Sequence, residues 1–527
     1  MSDAGVHYFR PEWIEPDSRT MELDVCVYGG TAAGVVAACA ATRRGRSAIL
    51  LNPGVFLGGM TSGGLSWTDS GKKHVIGGMS RDFYRACGQH YGRDEEWLFE
   101  PGVARAVMDA WIVGHDVPVH HRQFLDQVEL DAGRIASVRM ISGLVVRAKM
   151  FVDATYEGDL LAKAGVPYTV GRESNAVYGE TLNGVQPQDK HQFSHPVDPY
   201  VEPGVVSSGT LPWVHEGEIA PTGSGDHRIQ AYCFRVCLTD KDDVRVAWRK
   251  PEGYDPSEYL LGSRWYQSEK SVYNDTLHGD GELRKFDRLS VRHKVDANNH
   301  GPFSSDYIGA NYPWPEASYQ QRDRIFQQHR IYQQGLYWFF ANDPSMPKRY
   351  REAFARWGLA ADEFVETGHW PHQLYVREAR RMVGDYVLTE HDCMHRTACD
   401  DPVGMGSYTV DSHNVSRFVR DGHVLNEGDV QVPCAGPYGI SYRSIVPPAG
   451  SVANLAVPVC CSTSHIAFGS VRMEPVFMIL AQSAAIAIDL ALADDAALQD
   501  VAYDALRPEL DAAGQVAEHQ GAEAGQR

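Results

Sequence analysis

Two histidines and one arginine in the C-terminal third of the chain are candidates for acid–base chemistry. His413 lies in the segment VDSHN and His465 lies in STSHIAFG. Either imidazole could act as a general base that takes an acidic proton from a substrate. Arg443, in SYRSIVPP, could hold an anionic or carbonyl oxygen, or it could simply pair with an acid. The histidines could also serve structure, His465 by a hydrogen bond to its loop and His413 as a residue oriented by Asp411.

Weaker candidates stand elsewhere in the chain. His74 follows a glycine-rich loop. The segment KVDANN contains Asp296, Asn298 and Asn299, which are polar enough to hold substrate hydroxyls. A turn explains these three residue types equally well.

The cysteines predict neither a metal site nor a disulfide framework. Ten cysteines in 527 residues are too few for a disulfide-stapled protein. Cys233 and Cys237 are four residues apart in a strand-like segment, and Cys460 and Cys461 are adjacent. Neither pair has a histidine partner at metal-ligand spacing, so we expect no metal and a reduced protein.

The elements that must position the candidate residues begin with DVCVYGGTAAGVVAACAATRRGRSAILLNPGVFLGGMTSGG, from Asp24 to Gly64. The run LDVCVY predicts a buried strand, the small residues after GGTAAG predict a helix closed by Gly45, and SAILL predicts a second strand. A glycine-rich turn that leads into a helix N-terminus is typical of a dinucleotide site. Two positions depart from the usual pattern: Thr31 replaces the second glycine, and Asn52 replaces the acid that binds ribose hydroxyls.

Later segments favour one kind of dinucleotide. A nicotinamide-binding chain would continue with ordinary βα units, whereas PGVFLGGMTSGG is a glycine-rich loop that brings backbone close to a large, flat ligand. The segment MFVDATYEGDLLAKAG predicts a strand, a turn and a helix. Near the C-terminus, a helix of apolar and small residues is predicted to begin at Pro475.

Together these segments resemble the FAD-dependent oxidoreductases of the glutathione-reductase-like superfamily. YGGTAAG, LGGMTSGGL, DATYEGDLLAKAGVPYTVGRE, REARRMVGDYVLTEHD, SYTVDSHNVSRF and STSHIAFGSVRMEPVFMILAQSAA are similar to one family within it, from about Asp24 to past Asp511. Thr31 is usual in that family. The resemblance implies FAD as the cofactor, with the closing helix directed at the flavin pyrimidine, and it favours His465 as the base because its loop leads into that helix. It implies cofactor contacts from Gly29, Gly30, Thr31, Ala32, Ala33, Gly34, Asn52, Pro53, Gly58, Gly59, Met60, Thr61, Ser62, Gly63, Asp153, Ala154, Thr155, Arg472, Met473 and Pro475.

The resemblance also implies the organisation of the chain. The fold class is α/β, with a Rossmann-like FAD-binding domain split over residues 20–170 and 370–512. An inserted α+β substrate domain occupies residues 171–369. Residues 1–19 form an N-terminal extension, and residues 513–527 form a flexible tail. Inside the insert, YQQRDRIFQQHRIYQQGLYWFF predicts a helix with a core-facing stripe of Ile325, Phe326, His329, Tyr332, Leu336 and Phe339.

Charge and hydropathy disfavour several kinds of partner. The formal net charge of −19 at pH 7 argues against nucleic acid and anionic membranes. No run approaches the ~20 apolar residues of a membrane span, and the start of the chain lacks the apolar region of a secretory signal. We therefore expect a cytoplasmic protein. Its expected partners are a small-molecule substrate and an electron acceptor, which could be oxygen, a quinone or a redox protein.

The absence of three sequence motifs disfavours particular flavin reactions. The chain has no Cys-x4-Cys after the first glycine loop, which disfavours dithiol–disulfide exchange. It has no W-x-W-x-I-P, which disfavours flavin halogenation. A second clean G-x-G-x-x-G is also missing, so a bound nicotinamide reductant is not predicted.

We expect an enzyme that removes hydride from a small polar metabolite, with a histidine base beside the flavin. Aromatic and amide side chains favour a sugar, polyol or glycoside hydroxyl carbon as the site of oxidation. One alternative is an amine or C–H oxidase, or a monooxygenase, in a biosynthetic pathway. The non-enzymatic alternative is a redox-sensing flavoprotein. The aromatic and amide residues behind the sugar prediction are Trp265, Tyr312, Trp314, Trp338, Trp370 and Gln373.

Overall fold

The computed structural model describes residues 6–268, 286–291 and 293–519. The strands in these ranges are β1 (Thr20–Tyr28), β2 (Ala48–Asn52), β3 (Val119–His121), β4 (Leu125–Asp131), β5 (Arg134–Met140), β6 (Val145–Asp153), β7 (Tyr168–Thr169), β8 (Val214–His215), β9 (Val236–Thr239), β10 (Arg245–Val246), β11 (Phe286–Arg288), β12 (Lys294–Ala297), β13 (Gly358–Ala360), β14 (Arg381–Met382), β15 (Pro402–Gly406), β16 (Val410–Ser412), β17 (Ser416–Arg420), β18 (His423–Glu427), β19 (Val430–Val432), β20 (Tyr438–Ser441) and β21 (Leu455–Ala456). The α-helices are α1 (Ala32–Arg43), α2 (Gly59–Ser62), α3 (Gly78–His90), α4 (Pro101–Gly114), α5 (Asp159–Lys163), α6 (Asn175–Tyr178), α7 (Leu260–Tyr266), α8 (Tyr319–Asn342), α9 (Lys348–Ala355), α10 (Glu390–Cys393), α11 (His465–Val471), α12 (Glu474–Asp494) and α13 (Tyr503–Ala512).

The main sheet has the strand order β3-β2-β1-β6-β5-β4, and β21 pairs with β6. The pairs β1–β2, β2–β3, β1–β6 and β6–β21 are parallel, whereas β4–β5 and β5–β6 are antiparallel. All of β2 and the carboxyl half of β1 are buried, as in strands covered on both faces. The parallel part of this sheet confirms the predicted α/β class with a Rossmann-like core. Because β21 comes from the C-terminal part of the chain, the sheet is discontinuous in sequence.

The first β-α-β unit forms as predicted, with bounds that differ by a few residues. β1 begins at Thr20 rather than Leu23, and α1 ends at Arg43, two residues before Gly45. Asn52 is the last residue of β2 rather than the residue after it. Ten of the twelve residues of α1 are buried. Their small side chains let α1 pack closely against α12.

Among the described residues, α12 is the one helix long and apolar enough to cross a membrane. It has 21 residues and a mean hydropathy of 2.0 over its most apolar window. The prediction that no run approaches this length was wrong, because Gln482, Ser483 and Asp489 interrupt the apolar run but leave its mean hydropathy high. In the fold, 78% of that window is buried, against α1, α3 and β15. This is the position of a core helix, and core helices meet the same length and composition test.

Residues 171–369 contain a second sheet, antiparallel throughout, with the order β10-β13-β9-β12-β11. The predicted helix of this region is α8, which begins with a capping box between Ser318 and Gln321, and its predicted stripe is buried. One cluster of buried side chains extends from α1 and α12 into α8. The two predicted domains therefore share a core.

Smaller sheets join these regions. They have the orders β14-β7, β15-β20, β16-β19 and β18-β17-β8. β8, from residues 171–369, pairs in parallel with β17. β16 carries Asp411 and ends one residue before His413. Backbone hydrogen bonds thus link the two regions beside a candidate base.

Both ends of the described chain pack on the fold. Gln515 donates to the carbonyl of Ile479 at 3.0 Å, and Ala517 is 2% exposed. The prediction of a flexible tail at 513–527 was therefore wrong for residues 513–519, and residues 520–527 lie outside the described chain. At the other end, Phe9 is 3% exposed, so part of the N-terminal extension is also packed.

Candidate active site

A cavity of about 390 Å³ lies at the carboxyl ends of β1 and β2, where the sequence has its dinucleotide fingerprint. The turn after β1, the loop after β2 and the turn after β6 form much of its wall, and the inserted region and the N-terminal segment form the rest. The predicted cofactor-binding residues that line it are Gly29, Gly30, Thr31, Asn52, Pro53, Gly59 and Thr155.

The glycines of the first turn are required by close backbone contacts. A β-carbon on Gly34 would lie 1.9 Å from the carbonyl oxygen of Gly29. Gly29 has a φ of +113°, and a β-carbon there would lie 2.8 Å from backbone atoms of Ala154 and Thr155. The turn therefore presents bare backbone to the cavity, which fits the close approach of a pyrophosphate.

The N-terminus of α1 also fits a phosphate. The first N–H groups of a helix have no partner inside the helix. At α1, the side-chain oxygen of Thr31 accepts from Gly34 N at 3.1 Å, and its hydroxyl donates to the carbonyl of Ala154 at 2.7 Å. Thr31 thus caps the helix and ties the turn to β6, which explains a threonine at the second glycine position. The N–H groups of Ala32 and Ala33 remain for an anion.

Asn52 shapes the loop after β2. Its amide nitrogen donates to the carbonyl of Phe56 at 3.0 Å and lies 3.2 Å from His121 Nδ1. Its amide oxygen accepts from Gly54 N at 3.1 Å. Asn52 and Pro53 line the cavity. Because its donors are used within the protein, a ribose contact of Asn52 would have to use the amide oxygen.

At the end of β6, Asp153, Ala154 and Thr155 have different positions relative to the cavity. Asp153 is fully buried and accepts from Thr155 and from the N–H groups of Leu160 and Leu161, so it holds the start of α5. Burial raises the pKa of Asp153 to about 6, against these hydrogen bonds. Asp153 and Ala154 stand behind the cavity wall, and Thr155 lies in it.

The glycine-rich loop forms α2, and a buried polar cluster joins it to α12. Thr61 Oγ1 donates to Glu474 Oε2 at 2.6 Å. Tyr156 Oη donates to Glu474 Oε1 at 2.7 Å and accepts from Met60 N at 2.9 Å. Burial raises the pKa of Glu474 to about 7, and the hydrogen bonds from Thr61 and Tyr156 oppose this. Gly58 and Gly63 flank α2, which Ser62 ends.

A smaller cavity, of about 10 Å³, lies beyond this polar cluster. Met473 and Pro475, predicted to bind the cofactor, line it together with Glu474, Tyr375 and Asp69. Glu474 thus contacts Tyr156 of the large cavity and, together with Tyr375, lines the smaller one.

His413 lies between two carboxylates. Its Nδ1 is 2.7 Å from Asp306 Oδ2, and its Nε2 is 3.5 Å from Asp411 Oδ2. Burial and the positive charge of Arg377 lower the pKa of His413, but the two aspartates outweigh them and raise it above its ordinary value. Arg377 pairs with the other oxygen of Asp306 at 2.9 Å. The ring thus has a fixed orientation, with Nε2 in the looser contact.

His465 belongs to the same hydrogen-bonded network. Its Nδ1 lies 2.7 Å from Glu378 Oε2. Gln230 donates to Glu378 Oε2 at 3.0 Å and accepts from the backbone N–H of His413 at 3.2 Å. Burial would raise the pKa of Glu378, but His465 and Arg381 prevail and lower it. The structure therefore brings both candidate bases together, although neither lines the large cavity.

Arg472 and Arg443 both pair with aspartates. Arg472, predicted to contact the cofactor, donates to Tyr375 Oη at 2.9 Å and to Asp411 Oδ2 at 3.0 Å, so it joins the His413 network. Arg443, for which the sequence left open a catalytic role or a pair with an acid, has a side chain that is 46% exposed and pairs with Asp401 at 3.0 Å. Its guanidinium packs on Tyr386 rather than on cavity residues.

The weaker candidates lie at the surface or in hydrogen bonds that fix the backbone. His74 is exposed, with its ring 5.0 Å from that of His519. Asp296 is buried in a pair with Arg235 and accepts from the N–H groups of Ser66 and Trp67, which fixes the loop after α2. Asn298 accepts from Asn299 N at 2.9 Å, as in a turn.

The aromatic basis of the sugar prediction is weak in the structure. Trp265, Trp314 and Trp370 are core residues at 2% exposure or less. Tyr312 donates to the carbonyl of Val415 at 2.6 Å. Gln373 is the residue of the predicted set that lines the large cavity.

Several members of the network were missed in the sequence. Arg377 and Glu378 stand in VREARR, where a run of charges inside an apolar segment could have indicated buried ion pairs. Asp306 and Gln230 carry no local signal, because their partners are far away in sequence. Tyr156 and Glu474 stand beside residues that were singled out.

The cysteines give no metal site. All ten lie in the described chain as free thiols. Over the same described residues, no group of three or more histidine, cysteine or acidic side chains has an arrangement that could hold a metal ion.

Comparison with known proteins gives one match along most of the chain. The family model described as FAD dependent oxidoreductase matches residues 24–510. A search of curated proteins gives no match.

Solved structures are similar to parts of the chain. L-proline dehydrogenase from P. horikoshii is 14% identical, with 30% of this chain and 59% of that chain covered and a TM-score of 0.25. NikD, an unusual amino acid oxidase essential for nikkomycin biosynthesis, is 15% identical over 29% of this chain and 57% of that chain, with a TM-score of 0.23. Cyclohexanone monooxygenase is 15% identical over 26% and 27%, with a TM-score of 0.21. The matched region thus spans less than two thirds of each of these proteins.

Proposed function

The chain belongs to the family of FAD-dependent oxidoreductases, and from this premise we propose that it oxidises a small polar substrate at a carbon that bears a hydroxyl group, with His413 as the base. The observation that carries the proposal is the pair of aspartates at the two ring nitrogens of His413. Oxidation at such a carbon releases a proton together with the hydride, so it requires a base.

We propose that the pyrophosphate of FAD is held by the first turn and by the N-terminus of α1. Gly29, Gly30 and Thr31 offer bare backbone and a helix terminus there. Asn52 and Pro53 stand where the fingerprint puts the adenosine. When bound, FAD would supply the two-electron oxidant.

His413 is preferred to His465 because it faces two carboxylates and is the less buried of the two, at 8% against 2% exposure. In His413 the Nδ1 is held by Asp306 at 2.7 Å, and Nε2 has only the longer contact with Asp411. His465 is 2% exposed, with Glu378 at one ring nitrogen and Ser412 Oγ at 3.4 Å from the other. We propose that Nε2 of His413 takes the hydroxyl proton and that Asp306 keeps the ring in place.

Arg472 replaces Arg443 as the arginine proposed to hold the substrate oxygen. It is buried, and it contacts Asp411 and Tyr375 beside the smaller cavity. Arg443 is paired at the surface. Sugars, polyols and glycosides are the first substrate class to test, since they present hydroxyl-bearing carbons and Gln373 offers an amide in the cavity wall.

The proposal is tested by anaerobic mixing of the FAD-loaded protein with sugars, polyols, amines, amino acids and NADPH, while the visible flavin absorbance is followed. We expect bleaching by a hydroxyl-bearing compound. In His413→Asn, we expect bleaching to slow at least about a hundredfold, the size of a general-base contribution, with FAD still bound. The exposed residue His74 supplies the control, since His74→Asn should react as the wild type does.

Other outcomes would overturn the proposal in distinct ways. Bleaching only by amines would indicate an amine oxidase, and bleaching only by NADPH would indicate a monooxygenase. A protein that none of these compounds reduces would favour a redox sensor. Equal rates in His413→Asn and the wild type would remove His413 from the role of base.

A further inference from the structure

The N-terminal segment is held on α8 by one aspartate. The carboxylate of Asp323 accepts from Tyr8 N at 2.8 Å and from Phe9 N at 3.2 Å, and it lies 3.1 Å from His7 Nδ1. On the same helix, Gln327 donates to the carbonyl of Val6 at 2.8 Å. These contacts fix consecutive residues of the segment against a helix more than 300 residues away in sequence.

Aromatic packing supports these polar contacts. The ring of Tyr8 lies 5.0 Å from that of Trp314 and 6.0 Å from that of Phe124. The ring of Phe9 lies 4.7 Å from that of Phe124 and 5.6 Å from that of Tyr319. Such pairs contribute beyond the area they bury, so they add to the hydrogen bonds by which Asp323 holds the segment.

The same segment faces the cofactor cavity. Val6, His7, Tyr8 and Trp13 line it together with the fingerprint turn. Trp13 also meets the loop region after β2: its carbonyl accepts from Arg122 at 3.3 Å, and the backbone N–H of Arg122 donates to the carbonyl of Gly54 at 3.1 Å. The segment therefore spans from α8 to the adenosine end of the fingerprint.

We propose that residues 6–13 form a strap that closes the cavity over bound FAD and that Asp323 is the latch which sets how fast FAD leaves. The strap residues are then part of the cofactor site, although they precede the nucleotide-binding fold in sequence. This inference rests on FAD as the cofactor and is independent of the substrate and of the base.

The first test is the rate of FAD release from the loaded protein. Release is followed by flavin fluorescence, with phosphodiesterase present to convert free FAD into FMN and prevent rebinding. In Asp323→Ala we expect release to accelerate about tenfold or more, since three donors lose a charged acceptor. Asp343→Ala is the matched control at the other end of α8, where the aspartate contacts Ser345 instead of the strap, and we expect its release rate to equal that of the wild type.

A second measurement uses the unaltered chain. If FAD and the strap bind each other, FAD must protect the strap by linkage. Chymotrypsin should therefore cut after Tyr8 and Phe9 more slowly in the FAD-loaded protein than in the FAD-free protein, as read by mass spectrometry. Unchanged release in Asp323→Ala would overturn the latch, and equal cleavage with and without FAD would overturn the strap. Neither readout depends on turnover.

Discussion

The basicity of His413 is set by the charges around its ring. Asp306 and Asp411 face its two nitrogens, Arg377 stands behind Asp306, and Gln230 accepts from its backbone N–H. The aspartates stabilise the imidazolium and raise the pKa of His413. A base with a raised pKa acts in the neutral form, so the rate of substrate oxidation should rise with pH as His413 loses its proton.

Asp306→Asn should move this dependence to lower pH. Without the carboxylate, the imidazolium loses a stabilising charge and the pKa of His413 falls. The rising part of the pH profile of anaerobic flavin reduction should then shift in the acid direction. Asp411→Asn should cause a shift of the same sign, and movement of either profile towards higher pH would contradict this account.

Glu157 is a buried acid in the wall of the cofactor cavity. Burial raises its pKa to about 7, while Arg322 lowers it and Asp159 and Asp153 raise it further. The folded protein therefore keeps a proton that the unfolded chain releases near its ordinary pKa. The sign follows from linkage. Below the pKa that Glu157 has in the unfolded chain, the residue does not change the free energy of unfolding. As pH rises from that value towards 7, it lowers the free energy of unfolding progressively.

Glu157→Gln should stabilise the FAD-free protein at pH 8, by up to about 3 kcal/mol, and should change it little at pH 4.5. The check is the urea midpoint of unfolding at both pH values. Glu202→Gln, at an exposed position, supplies the control and should leave both midpoints unchanged. An equal effect of Glu157→Gln at the two pH values would show that the charge is not responsible.

At the scale of elements, the β1-α1 turn depends on a backbone contact that leaves no room for a side chain. Gly34→Ala would place a β-carbon 1.9 Å from the carbonyl of Gly29, so α1 or the turn must move. We expect FAD affinity to fall at least about tenfold, as measured by fluorescence titration. Gly114→Ala is the control: it lies at the end of α4 with open space around it, and alanine there should retain the wild-type affinity.

The elements differ in how far the sequence predicts them. β1, α1 and β2 are predictable because their signals are local: a short apolar run, glycines at a turn and small residues along a helix. α8 is predictable from its stripe. The network around His413 is not, because Asp306, Gln230 and Glu378 come from separate segments that only the tertiary fold brings together. Arg443 shows the same limit, since the sequence left a pair with an acid open but did not identify Asp401 as that acid.

At the scale of the molecule, Asp159 ties the inserted region to the nucleotide-binding part. Its carboxylate pairs with Arg322 of α8 at 2.6 Å and with Arg380 at 2.8 Å. Burial alone would raise the pKa of Asp159, but the two arginines prevail and lower it. The pairs lie at the junction of the two regions, so their loss should lower the stability of the whole fold.

Asp159→Asn should destabilise the protein by about 3–5 kcal/mol, the cost of leaving buried charges without a partner. The midpoint of urea unfolding measures this, and Asp126→Asn, at an exposed position of β4, should have no comparable effect. Separate unfolding of the two regions in the wild type would contradict the shared core.

The packing of α1 against α12 also has a consequence for how the protein is made. α1 ends at Arg43, and α12 begins at Glu474, about 430 residues later. At a synthesis rate of about 5–20 residues per second, the apolar surface of α1 leaves the ribosome roughly 20–90 seconds before its partner. During that interval, the surface is available to chaperones or to other nascent chains. Any product that terminates before Glu474 keeps it uncovered, so truncated chains should be aggregation-prone rather than partly active.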